Sequence, residues 1–213
     1  MALLALVYAL AGCESTVQVQ PLQNFPRPLV DPIPARIGVY YSEQFRNYRY
    51  DETADEQGVD ELVVQLGAGQ MSLFRQLLPS LFREVTELET LDRDQLPAGV
   101  DAVLVPEVVD FEYSVPRTSK AKVYEVWIKY QFELLAPDST AIATWTMPAY
   151  GKTPTAMLTS DAQALSLASL MALRDAGAAL VTGFPAVPEV QQWLHQLGGG
   201  AVPTPKPEVS DVD

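Results

Sequence analysis

Several segments of the chain alternate between apolar and polar residues with a period of two, which is typical of β-strands that bury one face. The clearest segment is 123–135, where the even positions are apolar and the odd positions are mostly polar and include Trp127. Because one face of such a strand lies in the core and the other in water, we expect antiparallel pairing here. Further strands are predicted at 36–41, 83–88, 101–113 and 142–147, and a short one around 61–66.

Two longer segments have a helical period instead, with apolar residues three and four positions apart. The first helix is predicted over 70–82, where Pro79 should kink or split the last turn because proline has no backbone N–H to donate. The second is rich in alanine and leucine and is predicted over 161–181, with Ser160 in position to cap it. A short helix is predicted at 189–197.

This order of strands and helices predicts an α+β fold: a two-layer sandwich of a mainly antiparallel mixed sheet with two main helices. The chain has 213 residues, 48% of them apolar, which is enough for one domain with a sizeable core, placed at 36–197. Residues 14–35 contain five prolines, so 13–35 is interpreted as an extended tether. The stretch 198–213 begins with glycines and is rich in proline, and we expect it to be a disordered tail.

The N-terminus has the pattern of a targeting segment. Residues 2–11 are continuously apolar, and no apolar run of about 20 residues is present, so the sequence suggests a signal peptide rather than a membrane span. The run ends in Leu10-Ala-Gly-Cys13 and resembles the bacterial lipobox, which implies that residues 1–12 are a signal peptide and that the only cysteine, Cys13, is lipidated. No basic residue precedes Arg27, which departs from an ordinary signal peptide, and the alternative is a buried strand or short helix. Glu14 favours the outer membrane, with the domain facing the periplasm.

Charge, composition and motifs argue against several classes of function for this chain. A net charge of −13 argues against a nucleic-acid partner, and one cysteine excludes a disulfide framework and a CxxC zinc site. No GxSxG, HExxH or Walker sequence is present, and the single histidine, His195, is expected on the surface. We therefore expect no enzyme, cofactor or metal. Weaker alternatives are a glycosidase-like pair (Asp110 and Glu112), an anion cradle at 67–69 and a cation site in the acidic stretch 51–61.

One segment has the composition of a recognition surface. Residues 40–50 contain four tyrosines, one phenylalanine and two arginines, and Tyr and Arg are enriched at interface hot spots. Tyr40 and Tyr41 are assigned to strand and core. The candidates for partner binding are Phe45, Arg46, Tyr48, Arg49 and Tyr50, with Trp127 as a second site. The alternatives are that this segment folds down over a sheet edge and that Trp127 lies under a helix.

The segments 37–41, 67–82, 101–105 and 123–145 together resemble bacterial envelope lipoproteins whose domain is like the TolB amino-terminal domain, among them CsgG and PelC. A second resemblance is to auxiliary lipoproteins of ABC-type lipid transporters. The first resemblance implies a non-catalytic scaffold or accessory subunit of an envelope assembly or secretion complex, with envelope proteins or further copies of the chain as partners. The alternative is an accessory lipoprotein of an ABC-type system that binds lipid or polysaccharide. An envelope hydrolase is a third hypothesis, and it requires a pocket with paired carboxylates.

Overall fold

A computed structural model describes residues 15–18, 28–52, 62–116, 122–154 and 160–198, so the predictions for residues 1–14, Cys13 among them, and for 199–213 lie outside the described residues. The strands are β1 (Ser15–Gln18), β2 (Ile33–Tyr40), β3 (Arg49–Glu52), β4 (Leu62–Gln65), β5 (Phe82–Leu88), β6 (Ala102–Ser114), β7 (Val123–Leu135) and β8 (Ala141–Pro154). The helices are α1 (Glu43–Arg46), α2 (Gly67–Leu81), α3 (Asp161–Gly183) and α4 (Pro188–Gln196), with one-turn 3-10 helices at Arg93–Gln95 and Phe184–Ala186.

The larger sheet is mixed and has five strands in the order β5-β2-β6-β7-β8. The neighbours of β2 are both parallel to it, whereas β6, β7 and β8 form an antiparallel meander. The parallel pair β2 and β5 is joined through α2, because parallel neighbours need a crossover connection. A second sheet has the order β1-β4-β3. The predicted α+β class is confirmed.

The helices pack on one face of the large sheet, which we call the inner face. The even positions of β7 lie on it, as the alternation predicted, and all six side chains are buried. Helix α2 contributes Leu73, Phe74, Leu77, Leu78 and Leu81 to the same core. Burying each such side chain stabilises the fold by about 1.5–3 kcal/mol. The predicted half-buried strand and its helical cover therefore account for most of the core.

Helix α3 lies directly on β8. A Cβ atom at Gly151 would come 2.0 Å from the carbonyl oxygen of Ala168 and 2.3 Å from the backbone nitrogen of Ala172, so only glycine permits this approach. By length and composition α3 could cross a membrane, although the sequence analysis expected no segment to do so. Half of its most apolar stretch is buried in the domain, where it contacts β7 and β8. Here α3 is the central helix of the core.

Local elements differ from the prediction in several places. β1 lies inside the predicted tether and pairs in parallel with β4, while β2 begins at Ile33, before the predicted domain boundary. Two short elements, α1 and β3, lie in a segment for which the sequence predicts no helix or strand. Helix α2 continues through Pro79, which is exposed two residues before the helix ends, so the proline does not split the helix.

Candidate functional site

The aromatic-rich segment after β2 turns into the core. Ser42 caps α1 by accepting a hydrogen bond from the backbone N–H of Phe45, and this single helical turn directs the Phe45 ring inward. Phe45 is 1% exposed, and its ring centroid lies 5.6 Å from that of Tyr41 and 5.5 Å from that of Phe74. The sequence prediction that Phe45 belongs to a recognition surface is wrong, because α1 reverses the direction in which this side chain points.

A buried side-chain amide, that of Gln70, holds α1 in place through a hydrogen bond. Gln70 is fully buried, and its side-chain amide donates a hydrogen bond to the carbonyl oxygen of Phe45. The hydroxyl of Tyr130 donates to the other end of the same amide at 3.4 Å. Burial raises the pKa of Tyr130, which keeps the phenol protonated and able to donate. Gln70 therefore links α1, α2 and β7 in the core.

Packing explains Gly67, the first residue of the predicted anion cradle at 67–69. The backbone N–H of Gly67 donates to the carbonyl of Tyr48 at 3.1 Å, so it is not turned toward a ligand. A Cβ atom at this position would lie 2.2 Å from the carbonyl oxygen of Arg46. Gly67 is thus required for the close approach of α1 to the start of α2, and the anion-cradle alternative loses its first donor.

Tyr48 and Tyr50 cover the far end of β6. The Tyr48 ring lies 6.4 Å from that of Phe111, and Tyr50 lies 5.0 Å from Phe111 and 6.0 Å from Tyr113. Both tyrosines are half-buried, and burial raises the pKa of Tyr48. Of the two interpretations left open by the sequence, this arrangement matches the one in which the segment folds down onto the sheet.

The arginines of this region are engaged in contacts within the protein. Arg46 donates a hydrogen bond to the carbonyl of Tyr41 at 2.9 Å, and its guanidinium lies 3.7 Å from the carboxylate of Glu87. Arg75 donates two hydrogen bonds, of 3.0 and 2.9 Å, to the same carboxylate. The hydrogen bond from Arg75 lowers the pKa of Glu87. Arg49 pairs with Asp51. Arg46 and Arg75 flank an open cleft of about 570 Å³ on α2.

Trp127 has the exposure that the alternation predicted. It lies on the outer face of the sheet, opposite the helices, and is 38% exposed, so it does not lie under a helix. Its ring centroid is 5.3 Å from that of Tyr150 on β8, and the Tyr150 hydroxyl donates to Glu125 at 2.6 Å. This hydrogen bond raises the pKa of Tyr150. The two rings form a continuous aromatic platform in contact with water.

The register of the meander surrounds this platform with charged groups. Glu112 lies opposite Trp127, and Asp110 lies opposite Lys129. A bulge between Val108 and Asp110 adds one residue to β6, and Val109 at this bulge is 46% exposed. We call this surface the Trp127 face, and it comprises Val109, Asp110, Glu112, Trp127, Lys129, Pro148 and Tyr150.

A loop covers the other half of the outer face. Residues 89–101 contribute Leu96 and Val100, which pack with Tyr40 and Leu135 over the buried side chains of a small second cluster. That cluster consists of Leu88, Val103 and Val105. Among the described residues, segment 89–101 therefore covers one half of the outer face, and the side chains of the other half, the Trp127 face, contact water.

The remaining candidates are the single histidine and the carboxylates that the sequence singled out. His195 is exposed on α4, with its Nδ1 2.7 Å from the carbonyl oxygen of Gln191. Asp110 and Glu112 stand on the exposed face of β6. Within the described ranges, no three His, Cys, Asp or Glu side chains come together as metal ligands would. Most of the acidic stretch 51–61 lies outside the described residues.

The chain matches no family model and no curated protein sequence. Among solved structures, a Xanthomonas campestris protein of the family DUF330 superposes with a TM-score of 0.46 at 17% identity, over 84% of this chain and 98% of that one. A minor lipoprotein from Acinetobacter baumannii gives a TM-score of 0.43 at 8% identity, over 73% and 94%. A lipoprotein from Neisseria meningitidis gives 0.32 at 14%, over 72% and 100%. These likenesses are too distant to indicate what this chain does, and the resemblance to the TolB amino-terminal domain remains a prediction.

Proposed function

We propose that the chain is a lipid-anchored lipoprotein of the bacterial envelope that acts as a non-catalytic scaffold or accessory subunit of an assembly or secretion complex. The observation that carries the proposal is the N-terminal sequence. Residues 2–11 are apolar, and the only cysteine follows immediately after Leu10-Ala-Gly. Acylation at a new N-terminus requires a thiol at that position, and Cys13 supplies the only thiol of the chain.

The physical role of the lipid is to hold a water-soluble module at a bilayer. Each buried methylene contributes about 0.8 kcal/mol, so one acyl chain binds a membrane only marginally, whereas two or three anchor it stably. Glu14 after the modified cysteine supports outer-membrane sorting, with the domain in the periplasm. The fold beyond the anchor buries its helices against one sheet and presents charged and aromatic side chains to water.

The scaffold role is supported by the Trp127 face. Exposed aromatic pairs with a charged rim are typical of the centre of a protein interface, because tryptophan and tyrosine bury a large area for little loss of conformational entropy. Of the candidate catalytic side chains, Asp110 and Glu112 lie two residues apart on the exposed face of β6, and His195 lies on α4. The absence of a catalytic set from the sequence motifs supports a role in assembly rather than in chemistry.

The alternative is an accessory lipoprotein of an ABC-type transport system that binds lipid or polysaccharide. The cleft beside α2 is the feature that bears on it, since Arg46 and Arg75 could meet an anionic headgroup. Both arginines already contact Glu87, and the cleft is open. We therefore give preference to the scaffold. Lipid that co-purifies with the wild-type chain and is lost on Arg75→Ala would reverse that preference.

The proposal is tested by comparing the wild-type chain with Cys13→Ser in cells grown with labelled palmitate. We expect label and outer-membrane fractionation for the wild type, and neither for Cys13→Ser. Chemical crosslinking in the same cells should give defined heteromeric species only with the anchored chain. An unlabelled wild-type chain recovered from the cytosol would refute the anchor, and an anchored chain without crosslinked neighbours would refute the scaffold role.

A further inference from the structure

We infer that the Trp127 face docks a basic segment of a partner protein, with an arginine or lysine placed over the Trp127 ring. This inference rests on the proposed scaffold function and names the chemistry of the partner. It combines three features of the described residues: an exposed aromatic platform, an excess of carboxylates around it and a sheet edge whose backbone pairing is restricted beside the platform.

The aromatic platform has the geometry that a cation recognises. The rings of Trp127 and Tyr150 lie side by side at 5.3 Å with an angle of 38° between their planes. The electron-rich face of tryptophan attracts a guanidinium or ammonium group within about 6 Å of its centroid. The hydrogen bond from Tyr150 to Glu125 fixes the second ring, so little side-chain freedom remains to be lost on binding.

The charges around the platform favour a basic partner. Glu112 lies directly across from Trp127, Asp110 lies two ladder positions away, and Glu125 accepts the hydrogen bond from Tyr150. Over the whole outer face of β6–β8, acidic side chains outnumber basic ones. The acids are Glu107, Asp110, Glu112, Glu125 and Glu133, and the bases are Lys129 and Lys152. An arginine over Trp127 could therefore reach a carboxylate with its N–H groups while its plane stacks on the ring.

The same charges disfavour the other occupants. A second copy carries the same net charge of −13 and the same acidic face, so two such faces would repel each other. An anionic lipid surface would be repelled for the same reason. Pairing along the edge of β8 is restricted near the platform, because the backbone N–H of Tyr150 donates to Asp175 at 2.9 Å and Pro148 has no N–H to offer. Beside the platform, the face therefore offers more to a partner than the edge does.

The test uses the full chain, purified from a whole-cell extract in a neutral detergent, and a synthetic twelve-residue peptide of alternating arginine and serine. Control peptides replace every arginine with glutamine or with glutamate. The three tryptophan indole N–H signals are followed by NMR, since Trp127 is exposed while Trp193 is buried and Trp145 packs against Phe132. We expect the Arg peptide to shift the Trp127 signal selectively, and the Gln and Glu peptides to leave it unchanged.

Variants separate docking from general attraction to an acidic protein. The affinities of the variants are measured by calorimetry, because a chain without Trp127 has no Trp127 signal. Trp127→Leu, which keeps an apolar side chain but removes the ring, should weaken binding about fivefold or more, and Trp127→Phe should restore part of the loss. Glu112→Gln should weaken binding about two- to fivefold. Glu189→Gln on α4, an exposed residue away from the face, removes the same charge and should have no measurable effect beyond that of net charge.

Equal affinity of wild type and Trp127→Leu for the Arg peptide would overturn the inference, as would equal effects of Glu112→Gln and Glu189→Gln. A change in the Trp127 indole signal on addition of phosphatidylglycerol vesicles, without peptide, would assign the face to a membrane. Self-association that is lost in Trp127→Leu would assign it to a second copy. Because binding is measured away from the membrane, failure of docking leaves the palmitate result standing, and failure of the anchor leaves the docking result standing.

Discussion

Two regions of this chain have the sequence signature of an interface, and the fold treats them in opposite ways. The segment 40–50 has the higher density of aromatic and arginine side chains, and its central residue, Phe45, is in the core. Trp127 is a single aromatic residue among polar neighbours, and it is exposed beside Tyr150. Position in the alternation of a strand therefore indicates exposure better than aromatic content does.

The physical reason is the way each backbone sets the direction of its side chains. In β7 successive side chains point to opposite faces, so a tryptophan at an odd position must share the face of its polar neighbours. After β2 the chain makes one turn of helix, which places Phe45 over the start of α2. Gln70 then ties the carbonyl of Phe45 to the core. Composition alone could not distinguish a buried turn from an exposed loop.

The largest expected effect on stability comes from a substitution in the buried region, segment 40–50. Phe45→Ala should lower the free energy of unfolding by about 3–5 kcal/mol, because it removes a ring that packs against Tyr41, Phe74 and Tyr130 and leaves a cavity. Chemical denaturation of the full chain measures the change. A loss below about 1 kcal/mol would show that Phe45 is not a core residue and would restore the predicted recognition surface.

The next effect compares a glycine of β8 that packs against α3 with a glycine at the end of α3. Gly151→Ala adds a methyl group against the backbone of α3, and we expect it to cost about 1–3 kcal/mol or more. Gly183→Ala is the matched control, because a Cβ atom there meets nothing within 4 Å, and it should be neutral or slightly stabilising. Thermal unfolding of both variants decides the matter, and equal melting temperatures would contradict the packing of α3 on β8.

On the exposed side the change in stability should be smaller. Trp127→Leu should alter the free energy of unfolding by less than about 1 kcal/mol, since the side chain already contacts water. The same denaturation experiment as for Phe45→Ala gives a direct comparison of the two regions. A cost as large as that of Phe45→Ala would mean that Trp127 holds the sheet together, and its role in docking would then be withdrawn.

The smallest expected effect on stability concerns the ion pair between Arg75 and Glu87. Arg75 lowers the pKa of Glu87, so the pair stabilises the fold above the unfolded carboxyl pKa of about 4.3 and loses this contribution as pH falls through the lower folded value. Arg75→Ala should therefore cost less than about 1 kcal/mol at pH 7, because the pair is exposed to solvent.

The difference between Arg75→Ala and wild type should vanish when both are unfolded at acidic pH. Arg174→Ala on α3, which is also exposed, serves as the control for a general change in charge. A stability difference that persists unchanged from pH 7 to pH 3 would show that Arg75 acts through packing and not through Glu87.

The sequence was most informative where a period repeats over many residues. The inner face of β7, the stripe of α2 and the hairpin of β7 with β8 follow from patterns of ten residues or more. Short elements escaped it: α1 and β1 have four residues each, and β1 exists through its pairing with β4, which is distant in sequence. Pro106 indicates an edge position or a bulge in β6, but no sequence signal places the inserted residue at Val109, whose apolar side chain lies exposed.

The central claim is that this domain is held at a membrane through Cys13, and intact mass spectrometry of the protein extracted from cell membranes tests it most directly. The account predicts one species that begins at Cys13 and carries the added mass of its acyl chains. A species that begins at Met1 with an unmodified thiol, open to alkylation by maleimide, would contradict it.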